Sequence, residues 1–218
     1  MNKSAARVVG RARNAMNDRD LKKKSTRLSW LLRHGALESK LAMDSAGFAD
    51  VDDVLRLTGL TRAALDGVVE ENNKSRFEIT GARIRAVQGH SLEGTPVTLE
   101  GLEQSWDVVV DDAPLFHGTS VAAAHAILES EGLHSAARTH VHLAGSADAK
   151  VGKRAGVDVV LVVDVLRLRA AGLPIFRAPN GVLLARRVPR SAVIDVQAQS
   201  RAGETALAQL LARLQNHA

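Results

Sequence analysis

Leu28, Leu31 and Leu32 recur at i, i+3 and i+4, which predicts a helix over residues 25–36 with one apolar stripe. At 100° per residue, Arg33 and His34 fall away from that stripe, and Gly35 suits the position just past a helix end. The pattern of "VDDVLRLTG" predicts a second helix near 50–58 with Asp50 as N-cap, and "LTRAALDGVVEEN" a third, capped by Thr61. "RFEI" and "RIRAV" alternate like strands on either side of the tight turn "TGA". Three helices followed by a β-hairpin is a winged-helix pattern.

Residues 93–113 read as a connector, with Gly94, Pro96 and Gly101 and the acids Asp107, Asp111 and Asp112. Beyond them, "PLFHGTS" predicts a short strand running into a helix capped by Thr119 or Ser120. "VAAAHAILESEG" is that helix, closed by Gly132. "THVHLA" predicts a strand, "VDVVLVVDV" a central buried strand, and "GVLLARRV" and "AVIDVQA" two more. Residues 203–217 read as a last amphipathic helix. The fold class is therefore α+β.

Composition then narrows the class. A chain of 218 residues makes one large domain or two small ones. Hydrophobic residues at 45% and charged residues at 24% are the balance of a soluble protein. Runs such as "VDVVLVVDVL" are too short to span a bilayer. Residues 1–24 lack the apolar core of a secretory signal. The absence of cysteine removes disulfides, thiolate catalysis and cysteine zinc sites, and it suits a cytoplasmic location.

The net charge of +5 is unevenly placed. Residues 1–24 hold eight Lys or Arg against two Asp, a net of +6, which leaves −1 for the rest. This leader reads as a flexible basic segment able to hold an RNA backbone loosely. A specific anion site has to come from local arginines in the folded part.

Several short stretches offer such chemistry, each beside a plainer reading. Arg33 and His34 either complement the negative end of a helix dipole or bind phosphate. In "RIRAVQGHS", Arg83 and Arg85 share one strand face, and Gln88, His90 and Ser91 surround a glycine in a turn that can offer donors to an anion. The plainer alternative is a solvated hairpin with a polar exit. His117, Gly118 and Thr119 open a helix, which suits a pyrophosphate or ribose but also an ordinary N-cap. His140 and His142 lie two apart on one strand face. With His117 they could ligate zinc, although a strand histidine is more often hydrogen-bonded. Arg154 sits in the Gly-flanked loop "GKRAG".

In order and spacing, "LSWLLRHG", "RFEI…RIRAVQGHS", "LFHGTS", "RTHVHLA", "VGKRAGVDVVLVVDV" and "NGVLLARRVP" resemble the RNA (tRNA) 2′-phosphotransferase family, over roughly residues 25–196. The resemblance implies a winged-helix-like RNA lobe over 25–92 and an ADP-ribosyltransferase-like, NAD-binding lobe over 114–218. It implies removal of an internal 2′-phosphate from RNA, as in tRNA splicing, with NAD as co-substrate and without metal. In that chemistry the RNA phosphate attacks the nicotinamide ribose C1″ and nicotinamide leaves. The ribose O2″ then attacks phosphorus, giving 2′-OH RNA and ADP-ribose 1″,2″-cyclic phosphate.

The family's Arg-His-Arg-Arg set falls by motif on Arg33, His34, Arg85 and Arg154, with Gln88, His90 and Ser91 as further phosphate-binding positions. His117, Gly118 and Thr119 match the ribose-binding motif, His142 the second-strand position, and Asn180 with Gly181 a further motif. Val87 and Ala144 stand where Asn and Ser are usual. A monomer suffices for one RNA phosphate.

Three other functions share parts of this pattern: an ADP-ribosyltransferase acting on nucleic-acid ends or protein, a 2′-phosphate sensor, and a winged-helix ligand-sensing regulator. The last is disfavoured, because Arg62 faces Asp66, Glu70 and Glu71 on the would-be recognition helix, where DNA would need net positive charge.

Overall fold

The computed structural model describes residues 18–70, 75–147 and 156–216. Helix α1 (Asp18–Arg33) buries Leu28, Leu31 and Leu32, as the stripe predicts. It begins at Asp18 rather than 25, so part of the basic leader is helical. The straight-chain side chains of Lys22, Lys23 and Lys24 lose little rotamer freedom in that state. Strand β1 (Ala49–Asp50) leads into α2 (Val51–Thr58), where Asp50 accepts from the Asp52 N–H at 2.8 Å. Helix α3 (Arg62–Glu70) starts where Thr61 accepts from the Ala64 N–H at 3.2 Å.

The hairpin β2 (Phe77–Thr80) and β3 (Arg83–Ala86) joins β1 in a sheet of order β1-β3-β2. Ile84 and Ala86 face a core of Leu28, Leu32, Val54 and Leu65, all fully buried. Burying one such leucine contributes about 2 kcal/mol relative to leaving it in water.

The stretch 93–113 is structured rather than a bare connector. It holds α4 (Leu99–Gln104), N-capped by Thr98, and β4 (Asp107–Val108). Leu102 and Trp106 pack with Phe176, Val182 and Leu184 in a small core of their own. The apolar content of this stretch, set against its turn residues, is what lets it dock.

Strand β5 (Leu115–Thr119) runs into α5 (Val121–Glu129), N-capped by Ser120. The helix ends at Glu129 and is not closed by Gly132. That glycine, at φ +126°, opens β6 (Gly132–His134), where a Cβ would sit 2.1 Å from the Val188 carbonyl oxygen. Then follow β7 (Val141–Leu143), the wholly buried β8 (Val159–Val163), α6 (Val165–Ala170) and β9 (Phe176–Arg177). "GVLLARRV" is two strands, β10 (Leu183–Ala185) and β11 (Arg187–Pro189), because the chain switches sheets at Arg186. A 3₁₀ turn, β12 (Val193–Ala198) and α7 (Arg201–Gln215) complete the chain as described.

These strands form sheets of order β4-β9-β10-β7, β12-β8-β5 and β11-β6, an α+β fold. β8 is central, as its continuous apolar run requires. Phe116 and Ala144 exchange two N–H···O bonds of 2.9 Å, which ties β5 to β7. No helix among the described residues is long and apolar enough to cross a membrane.

Candidate active site

Helix α1 ends under the loop that follows β3. The Arg33 carbonyl accepts from the Ser91 N–H at 2.9 Å, and the backbone of Gly89 lies close over the guanidinium. Gly89 has φ +86°, and a Cβ built there would lie 3.6 Å from Arg33 Cζ. Gly94 makes the other approach: a Cβ there would meet the His34 carbonyl oxygen at 1.8 Å. Two glycines of "QGHSLEG" thus let the loop close over the helix end.

The Arg33 side chain is half-buried, and its Nε and Nη2 have no partner in the protein. Burial, then the charges of Arg76 and Arg138, lower its pKa to about 10. His34 is lowered by partial burial, then by Arg33 and Arg138. Its Nδ1 lies 3.2 Å from the Ser91 hydroxyl, and that hydroxyl donates to the Arg33 carbonyl at 3.3 Å. The hydroxyl proton is therefore committed. Nδ1 of His34 carries the other proton, and Nε2 of the neutral ring is a base.

His142, on β7, receives a hydrogen bond on Nδ1 from Arg138 Nη1 at 3.1 Å. An arginine can only donate, so the neutral ring carries its proton on Nε2, which is buried and without a partner in the protein. Burial, then Arg138, Arg33, His140 and His117, bring its pKa to about 3. His117 Nδ1 donates to the His142 carbonyl at 3.0 Å, which aligns β5 beside β7. Gly118 and Thr119 are buried at the end of β5.

His90 is fully buried, with both ring nitrogens unpartnered. It packs on Gly47, and its carbonyl accepts from the Thr139 N–H at 3.0 Å. Its pKa falls to about 3 through burial, then Arg33, Arg85, His34 and His140. The Gln88 Oε1 is also buried and unpaired. Asn180 accepts from the Val182 N–H at 3.3 Å, in the turn before β10.

The fold brings together Arg33, His34, Gln88, His90 and Ser91 from one half of the chain and His117 and His142 from the other. Arg85 is placed differently from the expectation that it meets Arg33. Its Nε binds Glu78 at 2.9 Å, its Nη1 binds Ser105 at 2.6 Å, and its guanidinium lies 4.4 Å from the Phe48 ring centre. The arginines whose charges press on Arg33 are Arg76, just before β2, and Arg138, just before β7. Both lay within matched stretches, "RFEI" and "RTHVHLA", but a lone arginine beside a strand carries no local signal. Arg154 lies outside the described residues.

His140 does not share a ligand set with His142. Its Nε2 lies 3.1 Å from Glu103 Oε1, while His142 turns to Arg138.

Every charge acting on Arg33, His34, His90 and His142 is positive, and no carboxylate among the described residues is one of them. A desolvated guanidinium with two open donors, Arg33, beside neutral imidazoles and further arginines suits a multiply charged anion such as a phosphate.

The sequence profile of the RNA 2′-phosphotransferase, Tpt1/KptA family matches residues 18–187. A probable RNA 2′-phosphotransferase of Pseudomonas syringae pv. tomato is 37% identical, across 80% of this chain and 94% of its own. One of Burkholderia lata is 36% identical across 87% and 98%, and one of Agrobacterium fabrum 39% across 80% and 94%. With its profile matched along most of its length and relatives of this similarity, the chain belongs to the RNA 2′-phosphotransferase, Tpt1/KptA family.

Proposed function

We propose that this protein removes an internal 2′-phosphate from RNA with NAD⁺ as co-substrate, leaving 2′-OH RNA, nicotinamide and ADP-ribose 1″,2″-cyclic phosphate by way of an RNA-2′-phospho-ADP-ribose intermediate. The observation that carries this reading is the buried Arg33 guanidinium, with Nε and Nη2 open and the charges of Arg76 and Arg138 pressing on it. The names of the relatives support the RNA phosphate as its ligand.

NAD⁺ supplies an electrophilic ribose carbon and a leaving group. His117, Gly118, Thr119 and His142 are the residues that would hold it, since His142 Nε2 is a buried donor without a partner in the protein. Asn180 and Gly181 flank the same strand group.

Arg33 presents Nε and Nη2 to two phosphate oxygens, a planar fork against a tetrahedral dianion. Arg76 and Arg138 balance the charge that shifts among those oxygens in both steps. His34, with Nε2 as base, takes the proton of the hydroxyl that attacks phosphorus, and its lowered pKa keeps the ring unprotonated and able to accept it. Gln88, His90 and Ser91 hold the loop in place over Arg33. Arg85 serves as a clamp between β3 and the segment that carries Ser105. RNA bearing a 2′-phosphate, tRNA splice junctions included, is the substrate class, and one chain in the cytoplasm suffices.

The test is an oligoribonucleotide with one internal 2′-phosphate, incubated with and without NAD⁺. The expected result is loss of the phosphate only with NAD⁺. Folded protein that leaves the RNA unchanged overturns the reading. Accumulated ADP-ribosylated RNA would instead mark a transferase that stops after the first step.

A further inference from the structure

We propose that the exposed face of α1 formed by Lys23, Arg27 and Trp30 is the docking track for the RNA strand, with the Trp30 indole stacking on the base of a nucleotide next to the 2′-phosphate. This rests on the phosphotransferase reading and adds to it a contact for the rest of the substrate.

The placement follows from helical geometry. Positions 23, 27, 30 and 34 are separated by four, three and four residues, so at 100° per residue they lie on one narrow stripe that ends at His34. From Trp30 to His34 is about 6 Å along the axis at 1.5 Å per residue. Lys23 and Arg27 are exposed, one guanidinium N–H of Arg27 donating to the Leu57 carbonyl at 3.1 Å, and α1 contains no acid from Lys22 onward. The stripe is complementary to a polyanion and continuous with the cation site.

Trp30 has the form of a stacking platform. One side of its six-membered ring lies against the backbone at Gly35, where a Cβ would sit 2.5 Å from the ring. The side chain is nevertheless 43% exposed. The ring is therefore fixed by its inner side and open on its outer one. A rigid, half-covered aromatic beside positive charge is how single strands are held without reading sequence, because every base has a π-face. The protein's other tryptophan, Trp106, is buried and donates to the Val87 carbonyl at 3.0 Å. Leu37 and Leu92, 53% and 51% exposed, flank the same mouth through the Gly94 and Ser91 contacts to residues of the helix end. A protein partner would gain from the apolar rim but not from Lys23 and Arg27.

The experiment uses the full chain without NAD⁺ and reads tryptophan emission as a single-stranded oligoribonucleotide with one internal 2′-phosphate is titrated in. Stacking quenches emission, and Trp30→Phe removes the quenched signal because buried Trp106 does not respond. Trp30→Ala weakens binding by about tenfold, the usual scale for one base–aromatic stack. Trp30→Phe weakens it less, which separates stacking from misfolding. With abasic nucleotides on both sides of the phosphate, wild type and Trp30→Ala bind alike. Lys23→Ala with Arg27→Ala flattens the dependence of log affinity on log salt by about 1.4, for two phosphate contacts on a single strand.

The proposal is overturned if Trp30→Ala binds the intact RNA as tightly as wild type, or if abasic flanks cost wild type nothing. Equal affinity for RNA with and without the 2′-phosphate would sink the phosphotransferase reading while the quench still reports the track. Absence of binding would sink both.

Discussion

Ser91 donates twice to the carbonyl oxygen of Arg33, from its backbone N–H at 2.9 Å and from its hydroxyl at 3.3 Å. The end of α1 is thus satisfied by a loop from beyond β3, and its cationic side chains are left for another purpose. The same hydroxyl accepts from His34 Nδ1 and so sets that ring's tautomer. Ser91→Ala keeps the backbone bond and loses both side-chain ones. We expect a stability loss of about 1 kcal/mol and a fall in turnover of about tenfold or more, with Ser91→Thr restoring both. Urea unfolding and 2′-phosphate release on the same variants check this.

Arg33 illustrates stability given up for binding. Its guanidinium is desolvated and repelled by two neighbouring arginines. Arg33→Met keeps the packing under Gly89 and removes the charge. The variant is expected to be inactive yet more stable than wild type by on the order of 1 kcal/mol. Inorganic phosphate should raise the melting temperature of wild type and leave the variant unmoved. A variant that is less stable than wild type would show that Arg33 has counterions of its own.

The roles assigned to Arg76, Arg138 and Arg85 separate in the same way. Arg138→Ala and Arg76→Ala should cut turnover by about a hundredfold, the scale of one lost electrostatic donor, with unfolding midpoints little changed. Arg85→Ala leaves Glu78 without its partner and takes from Ser105 the bond donated by Arg85, while its bond to the Leu102 carbonyl stays. It should cost about 3 kcal/mol of stability, as losing half of a largely buried ion pair does. If Arg85→Ala folds normally and is the inactive variant, the assignment is reversed.

These particulars show what a sequence carries. The caps at Asp50, Thr61 and Ser120 were legible because a hydroxyl or carboxylate before an apolar run acts on N–H groups two or three residues away. The buried run of β8 was legible for the same local reason. The short α4, held by the docking of Leu102, and the three-residue strand β6, held by pairing with β11, were not, nor was the break of "GVLLARRV" into β10 and β11, since all three depend on distant partners. Strand alternation placed Arg83 and Arg85 on one face but could not say that the face belongs to Phe48. Arg76 and Arg138 converge only once both halves of the chain are folded.

The buried imidazoles make stability depend on pH. His90 and His142 have folded pKa values of about 3 against 6.5 when unfolded. Between those values these two rings bind up to two more protons in the unfolded chain than in the folded one, and His34 and His140, also lowered, act in the same direction, so stability rises with pH there and falls as pH drops below about 6.5. Each proton of that difference adds on the order of 1 kcal/mol per pH unit to the slope. Urea midpoints measured from pH 8 to 5.5 should be level at first and then decline, above the range where carboxylates titrate. A level line throughout would mean that these rings gain partners when protonated.

Glu103 pins the start of β7 from outside its sheet. Its Oε1 accepts from His140 Nε2 at 3.1 Å and from Arg186 Nε at 2.6 Å, and its Oε2 accepts from Arg186 Nη2 at 2.8 Å. Partial burial works to raise its pKa, but the hydrogen bonds from Arg186 and His140 outweigh that and hold the carboxyl below the usual range. His140 is buried edge-on to Trp106, with ring centres 5.0 Å apart, so the ring has little room to shift. Arg138 and His142 lie two residues to either side of it. Holding His140 therefore holds His142 on β7 and Arg138 just before it. Glu103→Ala leaves His140 Nε2 unpaired and Arg186 with Glu100 alone, at 3.0 Å, and should cost about 1–2 kcal/mol, while Glu103→Gln keeps an acceptor for His140 and should cost less. Amide exchange at Val141–Leu143 should quicken in Glu103→Ala while β8 stays protected, and turnover should fall with it. Unchanged exchange in β7, with the stability loss present, would place the effect of Glu103 in the small core around Trp106 rather than in the site.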